Sequence, residues 1–70
     1  MATVEVIRVE KLMNNEVEVR IEARTSSGRI PMQIRFGDQG SMALNEKRAF
    51  QEALAVVEET ATEFRRLLGL

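Results

Sequence analysis

Hydrophobic and polar residues alternate strictly along two neighbouring segments in the first half of the chain. In residues 16–24 the apolar side chains occupy the odd-numbered positions, and charged side chains occupy the even-numbered ones. Residues 29–36 repeat the alternation, with apolar side chains at the even-numbered positions. Because successive side chains of a strand point to opposite faces, the pattern predicts two strands that each bury one face.

The four residues 25–28, Thr-Ser-Ser-Gly, predict a hairpin loop between these two strands. With this loop Arg24 lies opposite Arg29, and every inward-facing residue lies opposite another apolar residue. A shift by one position would set each apolar side chain against a polar one, so the pattern and the loop predict the same register. Pro31 has no amide hydrogen to donate, which places its strand at an edge of the sheet.

A less regular strand is predicted at residues 3–12. Its apolar residues change parity between Val6 and Ile7. Either a β-bulge near Val6 or Lys11 shifts the phase, or a second subunit covers the other face of the strand. The pair Asn14-Asn15 predicts a tight turn into the next strand, because asparagine tolerates a left-handed backbone better than most residues.

The second half of the chain predicts one long helix over about residues 45–68. The glycine-containing segment 37–41 ends the preceding strand and forms a turn before the helix. Asn45 or Ser41 is expected to cap the amino-terminal end, and Gly69 the carboxy-terminal end.

The predicted helix carries two rows of apolar or small residues. One row recurs at alternating spacings of four and three, as in a heptad repeat, and we call it the apolar seam. The seam consists of Phe50, Leu54, Val57, Ala61, Phe64 and Leu68. The neighbouring row consists of Ala49, Ala53, Val56, Thr60 and Leu67. Together they are wider than the stripe that one face of a three-stranded sheet covers.

These elements predict an α+β fold of two layers in a single domain, residues 1–70. A three-stranded antiparallel meander is followed by one C-terminal helix packed on one face of the sheet. The surplus apolar surface and the open sheet edges predict a homodimer or higher oligomer, formed either through the seam or by pairing of the first strands. Alternatively, the first strand and residues 37–44 cover the seam within a monomer. Because Phe36, Phe50 and Phe64 all lie on apolar rows, we expect them in the core.

The size and composition of the chain support an oligomer and argue against catalysis. A chain of 70 residues builds only a small core, so added support is expected. With no cysteine and no histidine, neither a disulfide nor the usual transition-metal ligands are present, and we expect no cofactor and no metal. The commonest catalytic bases and nucleophiles are missing too, so we expect no enzyme activity.

The charge of the chain gives no general attraction to nucleic acid or to anionic membranes. Ten basic and 11 acidic residues leave a net charge of −1, and no apolar run approaches the length of a membrane span. The amino-terminal residues lack the basic and apolar regions of a signal peptide, and the chain is therefore expected in the cytoplasm.

One candidate binding site lies on the polar face of the two regular strands. Its cationic residues are Arg20, Arg24, Arg29 and Arg35. Interleaved glutamates make an ordinary solvated face the simpler interpretation, with Glu18 opposite Arg35. Where Arg24 and Arg29 face each other beside the loop hydroxyls, a phosphate or carboxylate site is the alternative.

Other clusters are interpreted as structural. The acidic residues Glu58, Glu59 and Glu63 predict a solvated helix face rather than a cation site. Three methionines, Met13, Met32 and Met42, are candidates for an adaptable contact surface. Met32 also lies on the inward-facing row of its strand, so a core position is the alternative for it.

The leading functional prediction is a small homo-oligomeric binding or adaptor protein that acts through a sheet face, an edge strand or a helix groove. An alternative is a nucleic-acid-binding regulator that uses the arginine-bearing sheet face of a dimer. A third is a carrier of a small apolar ligand that lies between helix and sheet or at the dimer seam. The expected partners are a second copy of the chain and another protein, with nucleic acid less favoured.

Overall fold

A computed structural model describes residues 1–70 as one sheet and one long helix. The strands are β1 (Thr3–Lys11), β2 (Glu16–Thr25) and β3 (Gly28–Gly37). They form an antiparallel sheet in the order β1-β2-β3, and α1 (Met42–Leu68) packs on one face of it. The predicted two-layer α+β fold is therefore confirmed.

The hairpin of β2 and β3 has the predicted register. Arg24 lies opposite Arg29, and Glu18 lies opposite Arg35. The inward pairs are Val17 with Phe36, Val19 with Ile34, Ile21 with Met32, and Ala23 with Ile30. β3 is an edge strand, so the predicted edge position of Pro31 is confirmed.

The change of parity in β1 comes from a bulge. Val6 pairs with Ile21 and Arg8 pairs with Arg20, so Ile7 is the extra residue on β1. The bulge confirms the first of the two explanations for the irregular pattern, and no second subunit is needed to account for it.

A tight turn, Met13–Asn15, joins β1 to β2, and its backbone is not helical at Asn14. Asn14 and Asn15 adopt left-handed φ angles of 62° and 59°, as the sequence predicts for this pair. The backbone carbonyl of Asn15 also accepts a hydrogen bond of 2.7 Å from the amide of Asp38. This bond ties the turn to the segment that leads into α1.

The core lies between the inner face of the sheet and the first half of α1. Its buried apolar residues are Val17, Val19, Ile21, Ile34, Phe36, Ala49 and Ala53. The helix therefore contributes only two alanines, whose small side chains allow its backbone to approach the sheet closely. Val6, Val9 and Met32 pack around this cluster while remaining half-buried.

The helix begins three residues earlier than predicted. Ser41 is the N-cap, and its Oγ accepts a hydrogen bond of 3.2 Å from the amide of Leu44. Asn45, the alternative cap, lies inside the helix and is buried with 3% exposure. At the other end, Gly69 has a left-handed φ of 78° and its amide bonds back to Arg65 and Arg66, which confirms the predicted C-cap.

The core prediction for the three phenylalanines is wrong for two of them. Phe36 is buried, whereas Phe50 and Phe64 are 43% and 59% exposed. The row of small residues that includes Ala49 and Ala53 faces the sheet instead of the row that carries the aromatic rings. Most seam residues are exposed, so the prediction that β1 and residues 37–44 cover the seam is also wrong.

Candidate interaction surfaces

The apolar seam lies on the side of α1, beside the row that packs on the sheet. Residues that follow each other in a helix are about 100° apart around its axis. Phe50 therefore points about a quarter of a turn away from Ala49, which is fully buried. Leu54 and Phe64 are each 59% exposed. The seam is thus a lateral face of the helix that the chain leaves largely exposed, with Ala61 as its one half-buried residue.

A shallow groove of about 240 Å³ joins the seam to β3. Ile30 and Met32 form its strand side, while Val57 and Phe64 contribute from the helix. The polar side chain in its lining is Thr60, whose hydroxyl donates a hydrogen bond of 2.7 Å to the carbonyl oxygen of Val56. Because that hydroxyl already has a partner, the groove presents an almost entirely apolar surface.

The last part of α1 makes no packing contact that buries it. Every residue from 62 to 70 is exposed, including Leu67 and Leu68. Ala61 is the last helical residue that is even half-buried. The end of the helix therefore carries apolar side chains with no support from the sheet.

The molecule exposes more surface than a folded monomer of its mass. A typical 7.9 kDa monomer exposes about 4,400 Å² by the usual scaling, whereas this chain exposes 5545 Å². Its radius of gyration is 13.7 Å, compared with about 11 Å for a compact domain of this length. The excess of roughly 1,100 Å² is comparable to the area that each partner buries in an ordinary protein interface, about 800 Å².

The four predicted arginines share the outer face of the sheet, and each is paired with a glutamate. Glu18 accepts a hydrogen bond of 3.2 Å from Arg35 and lies 4.0 Å from Arg20. Glu22 accepts one of 2.7 Å from Arg24 and lies 3.5 Å from Arg29. Two carboxylates thus bridge four guanidinium groups, and the anion site that the sequence suggested stays a prediction.

The pair Arg24 and Arg29 holds a carboxylate of the chain itself. The hydrogen bond from Arg24 is the main cause that lowers the pKa of Glu22 below its ordinary value of 4.5, and Arg29 adds to it. The Glu22 carboxylate therefore lies between the two guanidinium groups. Because Glu22 pairs with both, Arg24 and Arg29 can lie opposite each other on β2 and β3 although their charges repel.

A polar joint fixes the start of α1 against the sheet. The side-chain oxygen of Asn45 accepts a hydrogen bond of 2.8 Å from the amide of Gln39. Its Nδ2 donates one of 3.1 Å to Asp38, whose other oxygen lies 3.8 Å from the ammonium group of Lys11. Hydrogen bonds from the Gly40 amide and from Asn45 lower the pKa of Asp38. We call these four residues, Lys11, Asp38, Gln39 and Asn45, the polar joint. The polar joint links β1, the loop before the helix and α1, and its role is structural.

Sequence reasoning treated Asn45 as a cap and missed this joint. The signal was its position four residues before Ala49 on the sheet-facing row. A polar side chain on a buried row needs a hydrogen-bond partner nearby, and Asp38 in the preceding loop was the available one.

The remaining predicted clusters do not assemble into a site. No group of three acidic, histidine or cysteine residues could hold a metal ion, and Glu63 is paired with Arg66. Met32 is half-buried, whereas Met13 and Met42 are exposed. No buried side-chain polar atom lacks a hydrogen-bond partner.

The structure contains no helix that is both long enough and apolar enough to cross a bilayer.

Comparison with protein-family models gives no match for this chain. Searches of the curated proteins and of the solved structures give no significant match either.

Proposed function

We propose that the protein is a binding module that works as a homodimer, with the apolar seam of α1 as its subunit interface and no catalysis of its own. The observation that carries this proposal is the continuous apolar surface formed by the seam and the adjoining groove. Soluble monomeric proteins rarely expose large contiguous apolar patches, and such patches typically mark interaction sites.

A second copy of the chain is the partner that best fits this surface. The excess exposed area is close to what one subunit contributes to a stable dimer. A two-fold contact uses the same patch on both molecules, and a helical row of Leu, Val and Phe is self-complementary in this way.

The sheet edges are less suited to joining two copies. Pro31 removes one hydrogen-bond donor from β3, and the bulge at Ile7 interrupts β1. Charged side chains follow both strands on the outer face. These features are typical of edges that are protected from pairing, which favours the helix over the alternative of paired first strands.

The dimer would present two copies of the charged sheet face to other molecules. Each face holds alternating arginine and glutamate side chains on β2 and β3, and these groups supply paired hydrogen-bond donors and acceptors. Such a face suits a protein surface with its own alternating charges better than a polyanion. An adaptor function is therefore preferred to nucleic-acid binding.

The experiment that tests the proposal compares two glutamate substitutions on α1. Leu54→Glu places a charge in the seam, whereas Ala55→Glu places the same charge outside the seam, on the solvated face of the helix that carries Glu52 and Glu59. Both positions are exposed in the subunit, so both variants should keep the circular dichroism spectrum of the parent. Native mass spectrometry and sedimentation velocity then report the number of subunits.

We expect the parent chain and Ala55→Glu to be dimeric. Leu54→Glu should raise the dissociation constant at least about 30-fold, corresponding to about 2 kcal/mol for a central interface residue. A parent that is monomeric at all concentrations up to 1 mM, or equal dimerisation of both variants, would contradict the seam as the interface. An additional mass that corresponds to a copurified small apolar ligand would instead favour the carrier function.

A further inference from the structure

We infer that the two copies pack their α1 helices antiparallel, so that Leu54 of each subunit lies against Phe64 of the other. The two-fold axis then passes at the level of Val57 and Ala61, where each groove is closed by the second copy. This inference rests on the proposed dimer and specifies its geometry.

The seam has the same spacing when it is followed in either direction. From Phe50 to Leu68 the intervals are four, three, four, three and four residues. A two-fold axis across the helices therefore matches Phe50 with Leu68, and Leu54 with Phe64. Large residues meet large ones at both ends, and the two small residues, Val57 and Ala61, meet at the centre. The small central pair allows the two helix backbones to approach each other closely.

The two halves of α1 differ in how they are supported. Ala49 and Ala53 anchor the first half on the sheet, whereas residues 62–70 are exposed throughout. Antiparallel packing places the unsupported end of each helix beside the anchored half of the other. Parallel packing would instead set two unsupported ends against each other, far from both sheets.

Charge at the carboxy-terminal end of α1 favours the same orientation. Arg65 and Arg66 lie in the last turn. A parallel pair would bring four guanidinium groups together at one end. With the axis between Val57 and Ala61, an antiparallel pair places the two arginine pairs on opposite sides of the axis, about 20 Å apart along the helices at about 1.5 Å per residue, and also opposes the two helix dipoles.

The groove beside β3 gives the second copy a defined place. Ile30 and Met32 form a floor at the level of Val57 and Ala61, near the centre of the seam. In the antiparallel arrangement, Val57 and Leu54 of the second copy lie over this floor. The second copy then covers the apolar side chains of β3 and those of the seam on α1 in a single interface.

Disulfide cross-linking tests the orientation, and the absence of cysteine from the chain makes every cross-link specific. Leu54→Cys and Phe64→Cys are prepared separately, together with Ala55→Cys as a control outside the seam, on the solvated face of the helix. Each variant is first reduced and its dimer content measured by native mass spectrometry. The samples are then oxidised singly and as an equimolar mixture of Leu54→Cys and Phe64→Cys.

The antiparallel arrangement predicts a cross-link in the mixture and little in either single sample, because a disulfide requires Cα atoms within about 7 Å. We expect at least about tenfold more cross-linked dimer in the mixture than in the Ala55→Cys control. Efficient cross-linking of each single variant would show a parallel pair and overturn the inference, while leaving the dimer intact. Reduced variants and a parent chain that are all monomeric would overturn the proposed function as well. Dimers without any of these cross-links would place the interface elsewhere.

Discussion

Asn45 and Asp38 hold the amino-terminal end of α1 to the sheet through one side-chain contact of 3.1 Å. Asn45 is buried and Asp38 is half-buried, so water does not easily replace this bond. The same asparagine satisfies the amide of Gln39. The orientation of the helix, and with it the direction of the apolar seam, therefore depends on a buried polar side chain within a small apolar core.

Replacing Asn45 by alanine should destabilise the fold by about 1–3 kcal/mol, because the Gln39 amide and Asp38 both lose a partner in a partly buried environment. Urea unfolding followed by circular dichroism measures the change. Gln51→Ala, on the exposed surface of the same helix, is the control and should change stability by less than about 0.5 kcal/mol. Equal effects of the two substitutions would contradict a structural role for the joint.

Stability should be constant between pH 5 and pH 8 and should fall in acid. The chain has no histidine and no cysteine, so no side chain has an ordinary pKa in that interval. Hydrogen bonds lower the pKa of Asp38 below 3.8 in the folded chain, and the pKa values of Glu22 and Glu63 below 4.5. The stability they contribute is complete above the ordinary values and is lost as the pH falls through the lower folded values.

The measurement is the urea midpoint as a function of pH at fixed protein concentration. Asp38→Asn should show a shallower decline in acid, because the group that titrates at the joint is removed. A midpoint that changes by a large amount between pH 6 and pH 7 would contradict this account.

The turn before β2 requires residues that tolerate a left-handed backbone. Asn15 has a φ of 59°, where most side chains are strained. Asn15→Ala should therefore cost about 1–2 kcal/mol, whereas Asn15→Gly should be close to neutral. Thermal unfolding of the two variants side by side tests this, and a stable alanine variant would show that the turn rearranges at little cost.

The parent chain should not bind a short single-stranded oligonucleotide, because Glu18 and Glu22 are paired with the four arginines of the sheet face and offset part of their charge. The double variant Glu18→Gln/Glu22→Gln changes the net charge from −1 to +1 and frees four guanidinium groups. We expect it to acquire binding that weakens steeply with salt. Fluorescence anisotropy at low ionic strength measures both proteins, and tight binding by the parent would restore the nucleic-acid function.

The sequence determined the sheet more fully than the position of the helix. Strict alternation together with a hairpin loop admits one register, so the pairing of Val17 with Phe36 was predictable residue by residue. The change of parity in β1 predicted either a bulge near Val6 or Lys11 or a covered second face, and the register shift between Val6 and Arg8 decides for the bulge. These signals are local, and they do not depend on how the layers pack.

The orientation of α1 was harder to predict because two adjacent rows are both rich in apolar or small residues. Hydrophobicity alone favours the row with Phe50 and Leu54 as the buried one, and the structure buries Ala49 and Ala53 instead. Close approach of the helix to the sheet decides between the rows, and only small side chains allow it. The large residues left exposed are the basis of the proposed interface.

The unsupported end of α1 provides a protease assay for the assembly state. Trypsin cleaves after arginine in accessible, flexible segments, and Arg65 and Arg66 lie in the exposed stretch 62–70. In a free subunit, limited digestion should trim this end first and leave the sheet and the anchored half of the helix intact. In the antiparallel dimer the second subunit shields the same bonds, so the trimming rate should fall as protein concentration rises. Digestion of a dilution series therefore measures association without a label or an intrinsic chromophore.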